Sequence, residues 1–176
     1  MSAVRGVLAR YRVALGFVMA ALTIWLARPT LASVALGAFI AALGSGLRIW
    51  AAGHVEKSRE VTSSGPYRFT RHPLYLGSSL IATGIVVAAQ HLGLAIVVGL
   101  YLTATLVAAM RAEEAHLREK FGDAYDAYAA HRAPPSDRRF SWERALRNRE
   151  HHAVVGLIAG LTLLLLRVWY TQGFVG

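Results

Sequence analysis

Four charge-free stretches constrain this chain more than anything else in it: Val13 to Ala27, Pro29 to Leu47, Pro73 to Met110 and Ala153 to Leu166. A helix crosses the hydrocarbon core of a bilayer with about 20 apolar residues, so the third run has room for two crossings. Gln90-His91-Leu92-Gly93 supplies the turn between them. The first and last runs are short, and Arg12, Arg28 and Arg167 extend them if their stems lie along apolar surface while their heads reach the interface. The expectation is five transmembrane helices in one domain over residues 1–176, the last helix covering about 152–172.

Composition agrees with that setting. The chain is 55% hydrophobic and 16% charged, with a mean hydropathy of +0.41, whereas about 25% of an ordinary soluble domain is charged. Cysteine is absent, which excludes disulfides and thiolate metal sites. Arg5, Arg10 and Arg12 before the first run resemble the start of a signal peptide, but no small-x-small cleavage pattern follows Trp25-Leu26-Ala27-Arg28-Pro29. The run is therefore read as a retained helix.

Charge placement sets the expected orientation. Three basic residues precede the first span, five (Arg48, Lys57, Arg59, Arg68, Arg71) lie between the second and third, and nine lie from Arg111 to Arg149. Only Arg28 and Arg167 of the 19 Lys and Arg are left for the other side. The positive-inside rule then places the N terminus, the second-to-third loop and residues 111–150 in the cytoplasm, with Trp169 and Tyr170 anchoring the opposite interface. Richness in Ala and Arg points to a GC-rich bacterial host and hence to an inner membrane. Basic loops facing anionic lipid account for the net charge of +9, so no nucleic-acid partner is implied.

Both chemically dense segments fall on that basic side. Gly65-Pro66-Tyr67-Arg68-Phe69-Thr70-Arg71-His72-Pro73-Leu74-Tyr75-Leu76-Gly77 crowds aromatic, basic and turn-forming residues against the start of an apolar run. Pro73 suits the first turn of a helix, and the free amides of such a terminus suit a carboxylate or phosphate. Glu113 and Glu114 point about 100° apart on a helix, so one can face a pocket and the other water. Taken singly, His72 reads first as an interfacial histidine, and the Glu pair is equally a solvated helix end. Leu117, Phe121, Tyr125 and Tyr128 form one stripe at helical spacing, either lying on the membrane or closing over a pocket. Glu114 and Arg118 add an i,i+4 pair.

Other signals are structural. No His, Asp or Glu cluster has metal-ligand spacing, and His151-His152 read as a surface pair. Gly44-Ser45-Gly46 lacks the strand and helix of a dinucleotide loop, and Gly156-x-x-x-Gly160 suggests close packing of the last helix.

The two segments together, Gly65-Pro66-Tyr67-Arg68-x-x-Arg71-His72-Pro73-x-Tyr75-x-Gly77 and Glu113-Glu114-x-x-Leu117-x-x-x-Phe121-Gly122-x-x-Tyr125-x-x-Tyr128, closely resemble the isoprenylcysteine carboxyl methyltransferase family and its phospholipid N-methyltransferase relatives. The resemblance covers about residues 47–132. It implies an all-α, polytopic membrane bundle that binds S-adenosylmethionine in a cytosolic pocket, near Tyr67, His72, Tyr75, Leu76, Gly77, Glu113 and Glu114. In that reading Tyr67 and Tyr75 offer aromatic faces, and Gly77 allows a close backbone approach. The chain departs from the family after Tyr128, where Pro134-Pro135 shifts the usual proline by one and leaves open whether His131 or Arg132 takes the basic role. Asn148-Arg149-Glu150 resembles bacterial members. Arg132 and Arg149 are accordingly the expected substrate-side charges, with Glu114 and Arg149 as catalytic groups.

Transfer of a methyl from a sulfonium is an in-line displacement that needs alignment and exclusion of water. An acceptor that must lose a proton finds Glu114 or His72. Apolar walls imply a lipophilic acceptor arriving from the bilayer. Two alternatives stand beside this reading. Sterol-type reductases share a similar Arg-His-Pro-x-Tyr-x-Gly region but have more spans and bind NADPH. A scaffold or transporter would use no cofactor, although transporters carry mid-span ionisable residues that these runs lack.

Overall fold

The computed structural model describes the backbone of residues 2–56, 59–134 and 136–173, and the side chains of those residues from 14 to 171. The side chains of Arg5, Arg10 and Arg12, and residues Lys57 and Pro135, lie outside what is described. Among the described residues all regular structure is helical: α1 (Ser2–Leu26), α2 (Leu31–Ala52), α3 (Pro73–Ala89), α4 (Leu92–Phe121), α5 (Asp123–Ala129), α6 (Trp142–Arg147) and α7 (Glu150–Gly173), with one 3₁₀ turn at Gly65–Arg68. Helices are what apolar runs of this length form in lipid, because they satisfy their own backbone hydrogen bonds.

Leu31–Ala52, Leu92–Phe121 and Glu150–Thr171 are long and apolar enough to cross a membrane, and Ala14–Leu26 and Pro73–Ala89 are shorter apolar helices. Five apolar helices thus occupy the places of the expected spans, three of them at full crossing length. Their outward faces carry large apolar side chains such as Phe17, Phe39, Leu100 and Ile158, all more than half exposed, which is the surface a lipid-embedded bundle presents. The chain is an all-α membrane protein.

The tightest packing joins α2 to α3, and small residues make it possible. Gly37 and Gly44 on α2 meet Gly84 and Gly77 on α3 backbone to backbone; a Cβ on Gly44 would lie 2.6 Å from the Gly77 carbonyl oxygen and 2.8 Å from the Ile81 nitrogen. Ser33 adds an interhelical bond, its Oγ donating to the Ala88 carbonyl at 3.0 Å, while also completing a reciprocal cap with Thr30. Gly44 of the Gly44-Ser45-Gly46 triplet is therefore a packing residue. The Gly156-x-x-x-Gly160 pair is not: nothing lies within 4 Å of a Cβ on Gly156, and Gly160 meets only Ile85 at an ordinary 3.8 Å.

The buried apolar cluster of Ala27, Val34, Ala88, Ala89, Leu164 and Val168 sits at the end where α1 turns into α2 and α3 ends. Gln90 takes the left-handed conformation (φ 48°) to end α3, and the His91 ring accepts from the Leu94 amide at 3.2 Å to start α4. Arg167, expected to extend outward, instead turns in and donates from Nε to the Ala27 carbonyl at 2.7 Å. At the opposite end α4 has drawn away: Leu94 is its only buried residue. The space beside α3 at that end holds the site.

Candidate functional site

Local chain geometry at residues 64–73 aims the side chains. Gly65 adopts φ +55°, where any other residue would be strained, and a Cβ there would meet the His54 ring at 2.7 Å. Pro66 then opens the 3₁₀ turn that carries Tyr67, and Pro73 opens α3. His72 is the N-cap residue of α3 but makes no side-chain cap bond. Its ring reaches across to α4, where Nε2 lies 2.8 Å from Glu114 Oε1. The carboxylate accepts, so Nε2 carries the hydrogen, and in the neutral ring Nδ1 then holds the lone pair. Arg71 Nη1 approaches the same oxygen at 3.4 Å, and the Tyr75 ring packs 5.7 Å from the His72 ring.

Two cavities share one wall made of Tyr67, Arg71, His72 and Glu113. The larger, about 420 Å³, is completed by Arg48 from α2, Pro73, Leu74, Tyr75 and Ser78 from α3, Leu106 from α4 and Glu150 from α7. That volume falls within the range of about 300–1,000 Å³ found for small-molecule sites. The smaller, about 170 Å³, is enclosed by Val55, Glu56, Glu60 to Thr62, His116, Leu117, Tyr125 and Tyr128. Two of its groups, Thr62 Oγ1 and the Tyr125 hydroxyl, are buried without a hydrogen-bond partner among the described residues.

The aromatic stripe of residues 117–128 closes over this second cavity and does not lie flat on the membrane. Gly122 (φ 48°) breaks the helix, and α5 folds back so that Tyr125 and Tyr128 are buried. The Tyr128 hydroxyl donates to the Tyr67 carbonyl at 3.0 Å, which ties the lid to the 3₁₀ turn. Burial raises the Tyr128 phenol to about 12. Tyr67 is pushed up further still, by burial first and then by the nearby carboxylates of Glu113 and Glu150. Its phenol is therefore a hydrogen-bond donor and not a base.

A strap from Ser136 to Asn148 braces the site from outside. Arg138 pairs with Glu60 at 2.6 Å, Arg68 donates to the Ser136 carbonyl at 2.9 Å, and Phe140 packs on Gly53. Asn148 Nδ2 donates to the Ala52 and Val55 carbonyls at 2.9 and 3.2 Å, satisfying the end of α2.

Of the residues the sequence singled out, Tyr67, His72, Tyr75 and Glu113 converge on the cavities. Glu114 does not line either one; it stands behind the wall and holds His72 and Arg71. Gly77 faces α2, where a Cβ would meet Arg48 Cγ at 2.6 Å, and Leu76 is 49% exposed, so neither lines these cavities. Arg132 and Arg149 are exposed and lie outside both walls, and the positive φ of His131 and Arg149 marks turns. Arg149 instead turns the chain so that its neighbour Glu150 enters the larger cavity.

Arg48 and Glu150 are the residues that sequence reasoning missed. Arg48 Nε and Nη2 each lie 2.9 Å from a Glu150 oxygen, and Nη1 donates to Ser78 Oγ at 2.5 Å and to the Leu74 carbonyl at 3.4 Å. One signal was readable: Arg48 is an ionisable residue at the edge of an apolar run, which in membranes marks function by default.

The architecture and cavities define a membrane-embedded helix bundle with two adjoining cavities, lined by charged, aromatic and apolar side chains, at one end. The phospholipid methyltransferase family model matches residues 11–124. The chain belongs to the phospholipid methyltransferase family, which is related to the isoprenylcysteine methyltransferases. It is also similar to the nickel-cobalt-cadmium resistance protein NccN of Alcaligenes xylosoxydans xylosoxydans, 30% identical over 107 residues covering 60% of this chain and 48% of that protein. The chain thus spans about half the length of this curated relative. No solved structure matches it.

Proposed function

We propose that this protein is an integral-membrane methyltransferase, dependent on S-adenosylmethionine, that methylates a lipophilic acceptor of the isoprenylcysteine or another lipid-linked kind. The observation that carries the reading is the shared wall of Tyr67, Arg71, His72 and Glu113, which lets two ligands meet across one set of side chains. The residues fit the cofactor. Among the described residues, Thr62 and Tyr125 offer unpartnered buried hydroxyls and Glu113 a carboxylate with no partner, while Tyr67 and Tyr75 offer aromatic faces. Bound there, the sulfonium supplies an electrophilic methyl group.

The chain's own groups do the rest. Leu74, Tyr75 and Leu106 wall the larger cavity between α3 and α4, the side from which an acceptor slides in from lipid. Glu114 fixes the ring of His72 through Nε2, so Nδ1 is left to take a proton from an acceptor that must lose one. The α5 lid excludes water from the reacting groups. The site and the N terminus face the cytoplasm of a bacterial inner membrane, and residues 1–176 act as one domain.

Calorimetric titration of the detergent-purified protein with S-adenosylhomocysteine, with NADPH as control, tests the reading. Saturable binding of the homocysteine compound alone is expected. Binding of NADPH alone, or of neither by folded protein, refutes it.

A further inference from the structure

Both guanidinium groups lining the larger cavity, those of Arg48 and Arg71, already have a carboxylate of the protein for company. Arg71 and His72 share Glu114, and Arg48 is taken by Glu150. The last pair is the more complete: both carboxylate oxygens sit on the guanidinium fork, and Ser78 and Leu74 use its remaining edge. The Glu150 side chain is only 5% exposed and that of Arg48 22%. Glu113, by contrast, lines the cavity with no partner among the described residues. The unmatched charge of the wall is negative.

Such a pair is poor as a device for stability, since well-packed apolar side chains would hold three helices together at lower desolvation cost. Its effect on a ligand is different. The bidentate fork that best recognises a carboxylate or a terminal phosphate is filled from within. An incoming anion would have to expel Glu150, leaving a buried carboxylate unpaired beside a second negative group in a cavity that Glu113 also lines. Breaking buried pairs in this way is strongly unfavourable. The Tyr67 phenol, raised mainly by burial, is raised further by Glu113 and Glu150 among its neighbours, which places both carboxylates near that one hydroxyl.

We infer that Glu150 is a specificity-determining residue: by occupying Arg48 it excludes anionic head groups from the larger cavity, which narrows the acceptors named above by removing the isoprenylcysteine carboxylate and leaves a neutral or cationic group to receive the methyl. This rests on the reading that the larger cavity takes the acceptor.

The test is equilibrium binding of radiolabelled dodecanoate and dodecanol, at equal mole fraction in non-ionic micelles, to the full chain and to Glu150→Gln. The wild type is expected to bind dodecanoate no more tightly than dodecanol. Glu150→Gln is expected to bind dodecanoate at least tenfold more tightly than the wild type does, in a manner weakened by salt and abolished by adding Arg48→Gln. A wild type that prefers dodecanoate through Arg48 overturns the inference, and so does a folded Glu150→Gln with no gain. Should that variant not fold, the wild-type comparison with Arg48→Gln decides alone. A parallel titration with S-adenosylhomocysteine separates the two readings. Failure there with a gain of dodecanoate binding removes the cofactor and keeps the selectivity.

Discussion

Gly77→Ala separates a cofactor contact from a packing contact at one residue. The sequence motif places Gly77 beside the ligand, whereas in the structure its missing side chain lets α3 lie directly on α2. A Cβ would stand 2.6 Å from Arg48 Cγ and 2.7 Å from the Gly44 carbonyl oxygen. Ordinary contact distances are nearly 1 Å longer, and the Gly44 oxygen belongs to helix backbone, so the helices must part. Overpacking of this kind costs about 1–3 kcal/mol. For a chain of this size each 1 kcal/mol moves the unfolding midpoint by about 2–4 °C, which predicts a fall of about 2–12 °C. The strain also reaches the cavity, because Arg48 carries the Glu150 and Ser78 bonds from the same turn. The assay is thermal unfolding in detergent beside titration with S-adenosylhomocysteine. An unchanged midpoint with a selective loss of ligand affinity would falsify the packing argument and return Gly77 to the cofactor.

Three further outcomes are expected. Glu114→Gln keeps the shape but removes the charge that receives the 2.8 Å bond from His72; hydrogen bonds to charged groups contribute about 1.5–3 kcal/mol, so kcat/KM should drop about tenfold to a hundredfold with the protein still folded. Tyr128 is raised from the ordinary phenol value of about 10 to about 12, so its share of stability is complete below the unfolded value and is lost as pH climbs through the folded one. Tyr128→Phe should flatten part of the alkaline loss of stability, and an unchanged alkaline profile would count against the buried lid. Because the chain lacks cysteine, Asp137→Cys, at a fully exposed position on the strap, gives a single label. A membrane-impermeant maleimide should reach it only after the cells are opened, and labelling of intact cells would reverse the orientation.

Much of the architecture was legible because it depends on local rules. Uninterrupted apolar runs become helices in lipid whatever their neighbours are, and the Gln90-His91 break needs only a left-handed cap and a histidine cap. The Gly65-to-Gly77 segment was equally legible, since turn residues and Pro73 fix where the chain bends and where α3 starts. Harder to read was which way helices face one another. Gly156 and Gly160 have the spacing of a packing pair but lie on a face that meets almost nothing, while Gly37 and Gly84, unremarked in the sequence, carry the tightest contact between two helices.

By itself, then, the sequence determined the membrane setting, the helical hairpin after Pro73, and the pairing of a histidine-tyrosine segment with a glutamate pair. The first two follow from composition, periodicity and short-range geometry, and the third from the resemblance of the two segments to a known family. Only the tertiary structure decided that Glu114 stands behind His72 while Glu113 lines the cavities, that α5 closes as a lid, and that Gly77 serves α2. Only it brought Glu150 onto Arg48, 102 residues earlier in the chain. No local rule reports such a contact. It depends on how α2, α3 and α7 cross, and that crossing is set by which small residues let two backbones touch.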